Sequence, residues 1–324
     1  MKNKKVTILL LLSCVCCFAM DSRKAATNHK LTSPKERAVE VLESSMANPN
    51  PLIRMDAIES IVLCRCKQLY PLIEKSLVDP VDSVRFAASL AVGDLHYDKA
   101  AGKVDILFQS KNMNEKIGAA YALIKLGDND LTYHKAIVSA LQSTDSTISA
   151  NAALIMGKLG SKKYTGLLRW ALQTKISDDK TQIQAIESLG MLGYKDVDSK
   201  AWALMISKRA DDRAMGIITM YRLATYDSMN AIKTMLDDDV IEVRLIAAGR
   251  LEALNDDSGI DIIQKFFEED INTLTGQDRS RALIHALDAV RFSRDLKLAE
   301  YLPPFLYDDD AGVRIHSALS ILSF

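Results

Sequence analysis

The sequence predicts an all-α protein, an α-α superhelix in which about nine helical hairpins stack into a solenoid. Its 324 residues are 48% hydrophobic and 26% charged but include only 14 Gly and 7 Pro, a composition typical of an ordered helical chain. The segment "DPVDSVRFAASLAVGDL" at 79–95 recurs as "DDDVIEVRLIAAGRLEAL" at 237–254 and as "YDDDAGVRIHSALSIL" at 307–322. Repeats at intervals of 31 to 35 residues are typical of stacked helix pairs.

Aligning this segment along the whole chain places a mostly basic residue at one point of every unit. We name this set the basic column: Arg54, Arg85, Lys116, Ser149, Gln182, Arg213, Arg244, Arg279 and Arg314. Three positions later every residue is small, as at Ala57 and Ala88, and four positions further on every residue is apolar, as at Ile61 and Val92. Steps of four and three residues follow one face of an α-helix. Each unit therefore contains a helix whose small residues let a neighbouring helix approach closely.

A second helix is predicted in each unit, before the one that carries the basic column. Apolar residues recur at helical spacing in "QLYPLIEKSLV" at 68–78 and "SGIDIIQKFFEE" at 258–269. Because one hairpin cannot bury both apolar faces, the units are expected to stack, about 10 Å apart, into a curved rod on the order of 90 Å long. Trp170 and Trp202 fall in first helices and are expected to pack in the core between hairpins.

The two ends of the repeat array differ. The first unit begins at "SPKE", where Ser33 is the expected N-cap, Pro34 the first helical residue and Glu36 the partner in a capping box. The chain stops at Phe324, in an apolar position, and no polar capping helix follows. Two interpretations stay open: the last apolar residues complete the ninth unit, or they support end-to-end association through the C-terminal repeat.

The N-terminus "MKNKKVTILLLLSCVCCFAMDS" has the basic start and short apolar stretch of a secretory signal peptide. We expect this peptide over residues 1–19, a polar linker over 20–32 and the solenoid over 33–324. Either "LLSC" resembles a lipobox and Cys14 is lipidated, or cleavage follows Ala19; an uncleaved anchor is the third and least favoured alternative. The sequence thus predicts export, to the periplasm or as a membrane-anchored lipoprotein that meets the membrane only through its lipid.

Two cysteines, Cys64 and Cys66, remain beyond this leader. Residues two apart on a helix point about 200° away from each other, so the two thiols suit neither a mutual disulfide nor a metal site. We expect both to be packing residues.

The repeated turn resembles that of a known family. Six residues separate an Asp from the basic column in three units, at the pairs Asp79/Arg85, Asp238/Arg244 and Asp308/Arg314. With "DPVDSVRFAA", this spacing resembles HEAT, or armadillo-like, repeats of the short bacterial type found in phycobilin lyases. The resemblance implies that Asp and Arg form a ladder within and between units and that second helices line a concave face. Ser149 and Gln182 depart from the pattern, so the ladder is expected to be interrupted there.

Catalytic motifs are missing from the sequence. No His is followed by Glu, as the paired motifs of HEAT-like metal hydroxylases require, and "GxSxG", "GxxxxGK[ST]" and "HExxH" are not present. We therefore expect no enzymatic activity, no cofactor and no metal site. The formal charge is −1, or about −4 without the three lysines of the leader, so nucleic acid is not an expected partner.

The second helices offer a candidate binding surface. Positions two, six and nine after the basic column vary freely in polarity and are expected to line the concave face. From the sixth unit onwards these positions include five cations, Arg222, Arg250, Arg281, His285 and His316, with Asp288 the one acid among them. Cations in a groove suit an acidic peptide, a polyanion or a carboxylated glycan, although a solvated helix face would look the same.

The sequence thus predicts a non-catalytic scaffold or adaptor of the bacterial cell envelope that binds a protein partner, acidic in character, through the concave face. The alternative is an enzyme accessory or lyase-like protein of the same fold. An accessory enzyme should have a deep pocket lined by several titratable groups, whereas a scaffold should have an extended surface.

Overall fold

The computed structural model describes residues 32–174 and 178–324. Within these ranges the chain forms 18 α-helices: α1(Pro34–Ser45), α2(Pro51–Cys64), α3(Tyr70–Ser76), α4(Asp82–Leu95), α5(Ala101–Phe108), α6(Met113–Lys125), α7(Leu131–Leu141), α8(Ser146–Lys158), α9(Thr165–Gln173), α10(Asp179–Met191), α11(Asp198–Met205), α12(Ala210–Leu223), α13(Tyr226–Thr234), α14(Ile241–Ala253), α15(Ile260–Glu268), α16(Gly276–Ser293), α17(Leu296–Ala299) and α18(Ala311–Ser323). Each odd-numbered helix from α1 to α15 forms a hairpin with the helix that follows it, and in the last unit the 3₁₀ helix Pro303–Tyr307 packs against α18. The predicted all-α, HEAT-like solenoid of helical hairpins is confirmed.

Local sequence sets where the helices begin and end. The capping box of α1 is present, because the Ser33 hydroxyl accepts a hydrogen bond from the backbone N–H of Glu36 and the Glu36 carboxylate accepts one from the N–H of Ser33. Gly127, Gly160 and Gly193 follow α6, α8 and α10 with φ of +99°, +67° and +68°, the left-handed conformation in which glycine ends a helix without strain.

The even-numbered helices form a closed ring. Each packs against the next in chain order from α2 to α18, and α18 then packs against α2. Helix α1 lies on α18 as α7 lies on α6, so the last hairpin meets the first through the same contacts that join consecutive units. The predicted open rod is therefore wrong. Each hairpin is rotated relative to the one before it, and these rotations accumulate until the two ends of the array touch.

The meeting of the two ends, which we call the seam, covers the apolar C-terminus. Leu319 and Ile321 are 1% and 7% exposed, and Arg37 of α1 lies over the ring of Tyr307, 5.2 Å from its centre. Phe324 keeps 37% of its surface exposed. The apolar end is thus covered largely by α1 of the same chain, which favours the interpretation that these residues complete the ninth unit.

A ladder of arginine and aspartate crosses the turns inside the hairpins. Arg54 pairs with both carboxylate oxygens of Asp79 at 2.9 and 2.7 Å, and Arg213 pairs with Asp238 at 2.7 Å to each oxygen. Arg279 likewise binds Asp308 at 2.9 Å. Each arginine therefore reaches the aspartate of the following unit. The pairs of Arg54 and Arg213 are bidentate, the geometry that makes arginine–carboxylate pairs strong.

Within a unit, the arginine donates a hydrogen bond to the backbone carbonyl of the aspartate six residues before it. Arg244 Nη1 donates to the carbonyl oxygen of Asp238, and Arg314 Nη1 to that of Asp308, both at 2.6 Å, while Arg85 donates to the Asp79 carbonyl. At the predicted interruption, a hydrogen bond of 2.6 Å between Ser149 Oγ and Thr181 Oγ1 links α8 to α10. A neutral hydroxyl pair replaces the ion pair there.

The two tryptophans and the two cysteines were predicted to be packing residues, and the structure agrees with this only in part. Trp170 is half-buried on α9, but Trp202 on α11 is 38% exposed, so its assignment to the core is wrong. The short outer helix α11 leaves the indole without a cover on its solvent side. Cys64 and Cys66 are free and half-buried, and burial raises the pKa of the Cys64 thiol to about 11.

The leader, the linker up to residue 31 and Cys14 lie outside the described residues. In the described part of the chain, no helix combines the length and the hydrophobicity needed to cross a membrane.

Candidate functional site

The inner surface of the ring, which we call the lumen, is lined by one face of each even-numbered helix. On α2 the residues two and five positions after the basic column are Asp56 and Glu59. Asp56 contacts His316 of the neighbouring helix α18, and the charges of His316 and of Lys158 on α8 act on Glu59.

Position six, predicted to face the groove, is instead buried where its residue is small, as at Ser60 and Ser188, which are 1% and 0% exposed. On α2 the neighbouring position five, Glu59, lies on the lumen face in its place, whereas the larger residues at position six, Arg250 and His285, stay partly exposed.

Side chains span part of the lumen. Lys158 Nζ of α8 lies 2.8 Å from Asp94 Oδ2 of α4, although α6 stands between these helices in the ring. Tyr121 of α6 donates a short hydrogen bond to the same Asp94 carboxylate, and burial together with that carboxylate raises the pKa of the phenol. Asn151 of α8 donates to Asn114 of α6 at 3.0 Å. The side of the lumen formed by α4, α6 and α8 is therefore closed by polar contacts.

A charged cluster lies at the seam. His316 of α18 is 3.1 Å from Asp288 of α16 through Nδ1 and 3.3 Å from Asp56 of α2 through Nε2. Burial alone would lower the pKa of His316, but the carboxylates of Asp288 and Asp56 outweigh it and raise the pKa to about 10. Burial raises the pKa of Asp288, but the charge of His316 and its hydrogen bond outweigh this effect and lower the pKa to about 2. At neutral pH an imidazolium therefore joins two carboxylates.

Two other predicted cations have less charge to offer a ligand. Burial lowers the pKa of His285, which favours its neutral form. Arg281 is exposed, but its guanidinium lies 3.1 Å from Glu242 and 3.4 Å from Asp278, so neighbouring carboxylates already balance it.

A row of three arginines and two aromatic rings occupies the inner side of α12, α14 and α16. We call it the arginine–aromatic row: Tyr221, Arg222, Arg250, Arg291 and Phe292. Arg222 and Arg250 lie over the ring of Tyr221, 5.8 and 5.2 Å from its centre. Arg250 and Arg291 lie over the ring of Phe292, at 4.4 and 4.2 Å. Each ring thus serves two guanidinium groups by cation–π contact.

The structure therefore divides the five predicted cations into two groups. Arg222 and Arg250 belong to the arginine–aromatic row, whereas Arg281, His285 and His316 lie beside carboxylates. Arg291, Tyr221 and Phe292 were not among the residues predicted from the sequence. The signal available for Arg291 was its position three residues after Asp288 on one helix, which places both on the same face.

Cavities among the described residues lie elsewhere. One of about 430 Å³ is on α7, lined by Leu131 and Val138 and by two titratable side chains, His134 and Lys135. Another of about 390 Å³ is at the seam, between Pro34, Leu302 and Phe324. His, Cys, Asp and Glu side chains of the described residues form no group of three or more that could hold a metal ion.

Comparison with known proteins yields structural likenesses alone. No family model matches the chain, and no curated protein does. One similar structure is the complex of CpcE and CpcF of phycocyanin lyase from Nostoc sp. PCC7120, with 15% identity and a TM-score of 0.45, covering 74% of this chain and 95% of that one. Another is human deoxyhypusine hydroxylase in complex with glycerol, with 13% identity and a TM-score of 0.38, covering 82% of this chain and 97% of that one.

Proposed function

We propose that this protein is a non-catalytic, exported scaffold or adaptor of the bacterial cell envelope that binds an acidic protein partner through the inner surface and rims of its ring. The observation that carries the proposal is the arginine–aromatic row, in which Arg222 and Arg250 have no ion-pair partner among the described residues. Aromatic and arginine side chains together dominate the energetics of protein interfaces.

The shape of the ring defines how such a partner would bind. The ion pair between Lys158 and Asp94 crosses part of the lumen, which leaves little room for a folded domain. A loop or an extended segment entering from a rim meets no such obstacle. A helical solenoid suits this task, because it holds side chains from successive units at fixed spacing along one surface.

The proposal is tested by crosslinking the full-length protein in its native envelope and identifying the proteins captured. The double variant Arg222→Glu/Arg250→Glu should lose the partner, while Arg169→Glu/Lys265→Glu, on outer helices α9 and α15, should keep it. Helicity by circular dichroism confirms that both variants fold. Capture of no protein, or equal capture by the two variants, would contradict the proposal. Capture of an enzyme whose rate the ring changes would favour the accessory-protein alternative.

Export and lipidation need a separate experiment. If Cys14 is acylated, Cys14→Ser should release the protein from membranes or block its processing. If cleavage follows Ala19 instead, fractionation of Cys14→Ser should match the wild type, and a wild-type protein found in the cytoplasm would refute export.

A further inference from the structure

The arginine–aromatic row carries more positive charge than its surroundings neutralise. Arg222 and Arg250 have neither an ion pair nor a hydrogen bond through their guanidinium groups to any described residue. The carboxylate that acts on Arg250 is Asp288, which is already bound to His316 at 3.1 Å. Arg250 and Arg291 therefore share one carboxylate that has another partner, and Arg222 has no carboxylate partner among the described residues.

Arg291 is the member of the row whose surroundings are most incomplete. Its Nη2 is 3.5 Å from Asp288 Oδ1, at the limit of a hydrogen bond, and its Nε is buried without a hydrogen-bond partner. The side chain is 15% exposed. A buried donor without a partner, on a charged group, costs free energy that an incoming acceptor would recover.

The two aromatic rings hold the guanidinium groups in a defined arrangement. A guanidinium that lies over a ring keeps its N–H groups at the edge of its plane, directed away from the contact. Those N–H groups match the two oxygens of a carboxylate, the bidentate geometry already seen between Arg54 and Asp79. Tyr221 and Phe292 thus orient Arg222, Arg250 and Arg291 as carboxylate receptors.

We propose that the arginine–aromatic row is a carboxylate-binding site for Asp and Glu side chains in an acidic segment of a protein partner. This inference deepens the proposed function and rests on it. A nucleic acid suits the site less well, because its closely spaced phosphates would also meet the carboxylates of Asp56, Glu59 and Asp94. The side-chain carboxylates of a peptide can occupy individual arginines and leave the rest of the lumen uncontacted.

The test uses a fluorescein-labelled hexaglutamate peptide and its hexaglutamine counterpart. Each peptide is titrated with the full-length protein, and binding is measured by fluorescence anisotropy at two salt concentrations. The wild type should prefer hexaglutamate at least about tenfold, and added salt should reduce that preference. Arg250→Gln should remove most of it. Arg250→Lys should also weaken binding several-fold, because lysine keeps the charge but not the planar donors.

The matched control is Arg169→Gln. Arg169 lies over the ring of Tyr194 at 5.4 Å, an arginine–tyrosine contact on outer helix α9 and away from the lumen. This variant should bind hexaglutamate as the wild type does, and the melting temperature of each variant reports whether it is folded. Arg222→Gln provides a second test at an exposed residue of the row, for use if Arg250→Gln does not fold.

Three results would overturn the inference. They are equal affinity for the two peptides, equal loss in Arg169→Gln and in both row variants, and tighter binding of a hexameric single-stranded oligonucleotide than of hexaglutamate. Any of them, with a protein partner still captured from the envelope, would leave the proposed scaffold function standing. A peptide preference that is present while no partner is captured would overturn the scaffold function instead.

Discussion

At the scale of single residues, His316 is the side chain on which the seam depends most. It belongs to the last helix, and its two carboxylate partners belong to the helices on either side of it in the ring, Asp288 on α16 and Asp56 on α2. Because the side chains of His316 and Asp288 are 17% and 25% exposed, the cluster is partly desolvated. Removing the imidazolium would leave two carboxylates close together without their counter-charge.

We predict that His316→Gln lowers the free energy of unfolding by about 2 kcal/mol, less than the loss expected for a fully buried ion pair because some solvent reaches these groups. Urea denaturation at pH 7 measures this difference. The control is Arg281→Gln, whose exposed ion pair with Glu242 should contribute less than about 1 kcal/mol. Equal effects of the two variants would show that the seam cluster is no stronger than a surface pair.

The same cluster predicts a pH dependence. The pKa of His316 is raised from 6.5 to about 10, so its contribution is fully present below pH 6.5 and is lost as the pH rises through 10. The pKa of Asp288 is lowered from 3.8 to about 2, so its contribution is present above pH 3.8 and is lost as the pH falls through 2. The stability difference between wild type and His316→Gln should therefore shrink between pH 7 and 10. A difference that stays constant over this range would contradict the assignment.

At the scale of helices, close approach between inner helices depends on small residues. A methyl group added at Gly157 of α8 would come within 2.8 Å of Ser188 Cβ and 2.9 Å of Ser188 Cα, on α10. One at Gly166 of outer helix α9 would meet no atom within 4 Å. The first glycine is needed for packing between helices, whereas the second has no neighbour that requires it.

We predict that Gly157→Ala costs about 1 to 3 kcal/mol by overpacking the contact between α8 and α10. Gly166→Ala, with the same change of residue, should be neutral or should stabilise by up to about 1 kcal/mol, because alanine favours the helix. The thermal and urea unfolding midpoints of the two variants, compared with those of the wild type, test this prediction. A stabilised Gly157→Ala would mean that the two inner helices are further apart than described.

Helical periodicity was sufficient to predict the hairpins, since each depends on residues that are near one another in sequence. The register of the lumen face was harder to predict. Positions five and six after the basic column are both compatible with a 3.6-residue period, and the choice depends on which one a neighbouring helix covers. Arg222 and Arg250 could therefore be predicted from the sequence, but the positions of Tyr221 and Phe292 beside them could not, because these contacts join three separate units.

At the scale of the whole molecule, the repeat pattern could not predict that the solenoid closes into a ring. The angle between successive hairpins follows from many small differences in side-chain volume, and a modest change per unit separates a ring from an open rod after nine units. The contacts that establish closure join residues far apart in the sequence, such as Asp56 and His316, which are 260 positions apart. Local patterns contain no information on such pairs.

We predict that Ile321→Asp opens the seam, because it places a carboxylate at a position that is 7% exposed and lines the cavity beside α1. Hydrogen exchange should accelerate in α1 and α18 while the helices α6 to α12 stay protected, and small-angle scattering should show a larger maximum dimension. Val138→Asp, in the comparable cavity on α7, should leave the maximum dimension unchanged. An unchanged dimension in Ile321→Asp would contradict a seam held by these apolar contacts.

The placement of α1 on α18 also bears on how the molecule comes apart. A linear array of repeats has two terminal units, each held by a single neighbour, and those units fray first. In this ring the first and last hairpins have a neighbour on both sides, as every internal hairpin does. Local unfolding must therefore disrupt two interfaces wherever it begins, so we expect the protein to lose its structure in one cooperative step, without gradual melting from either terminus.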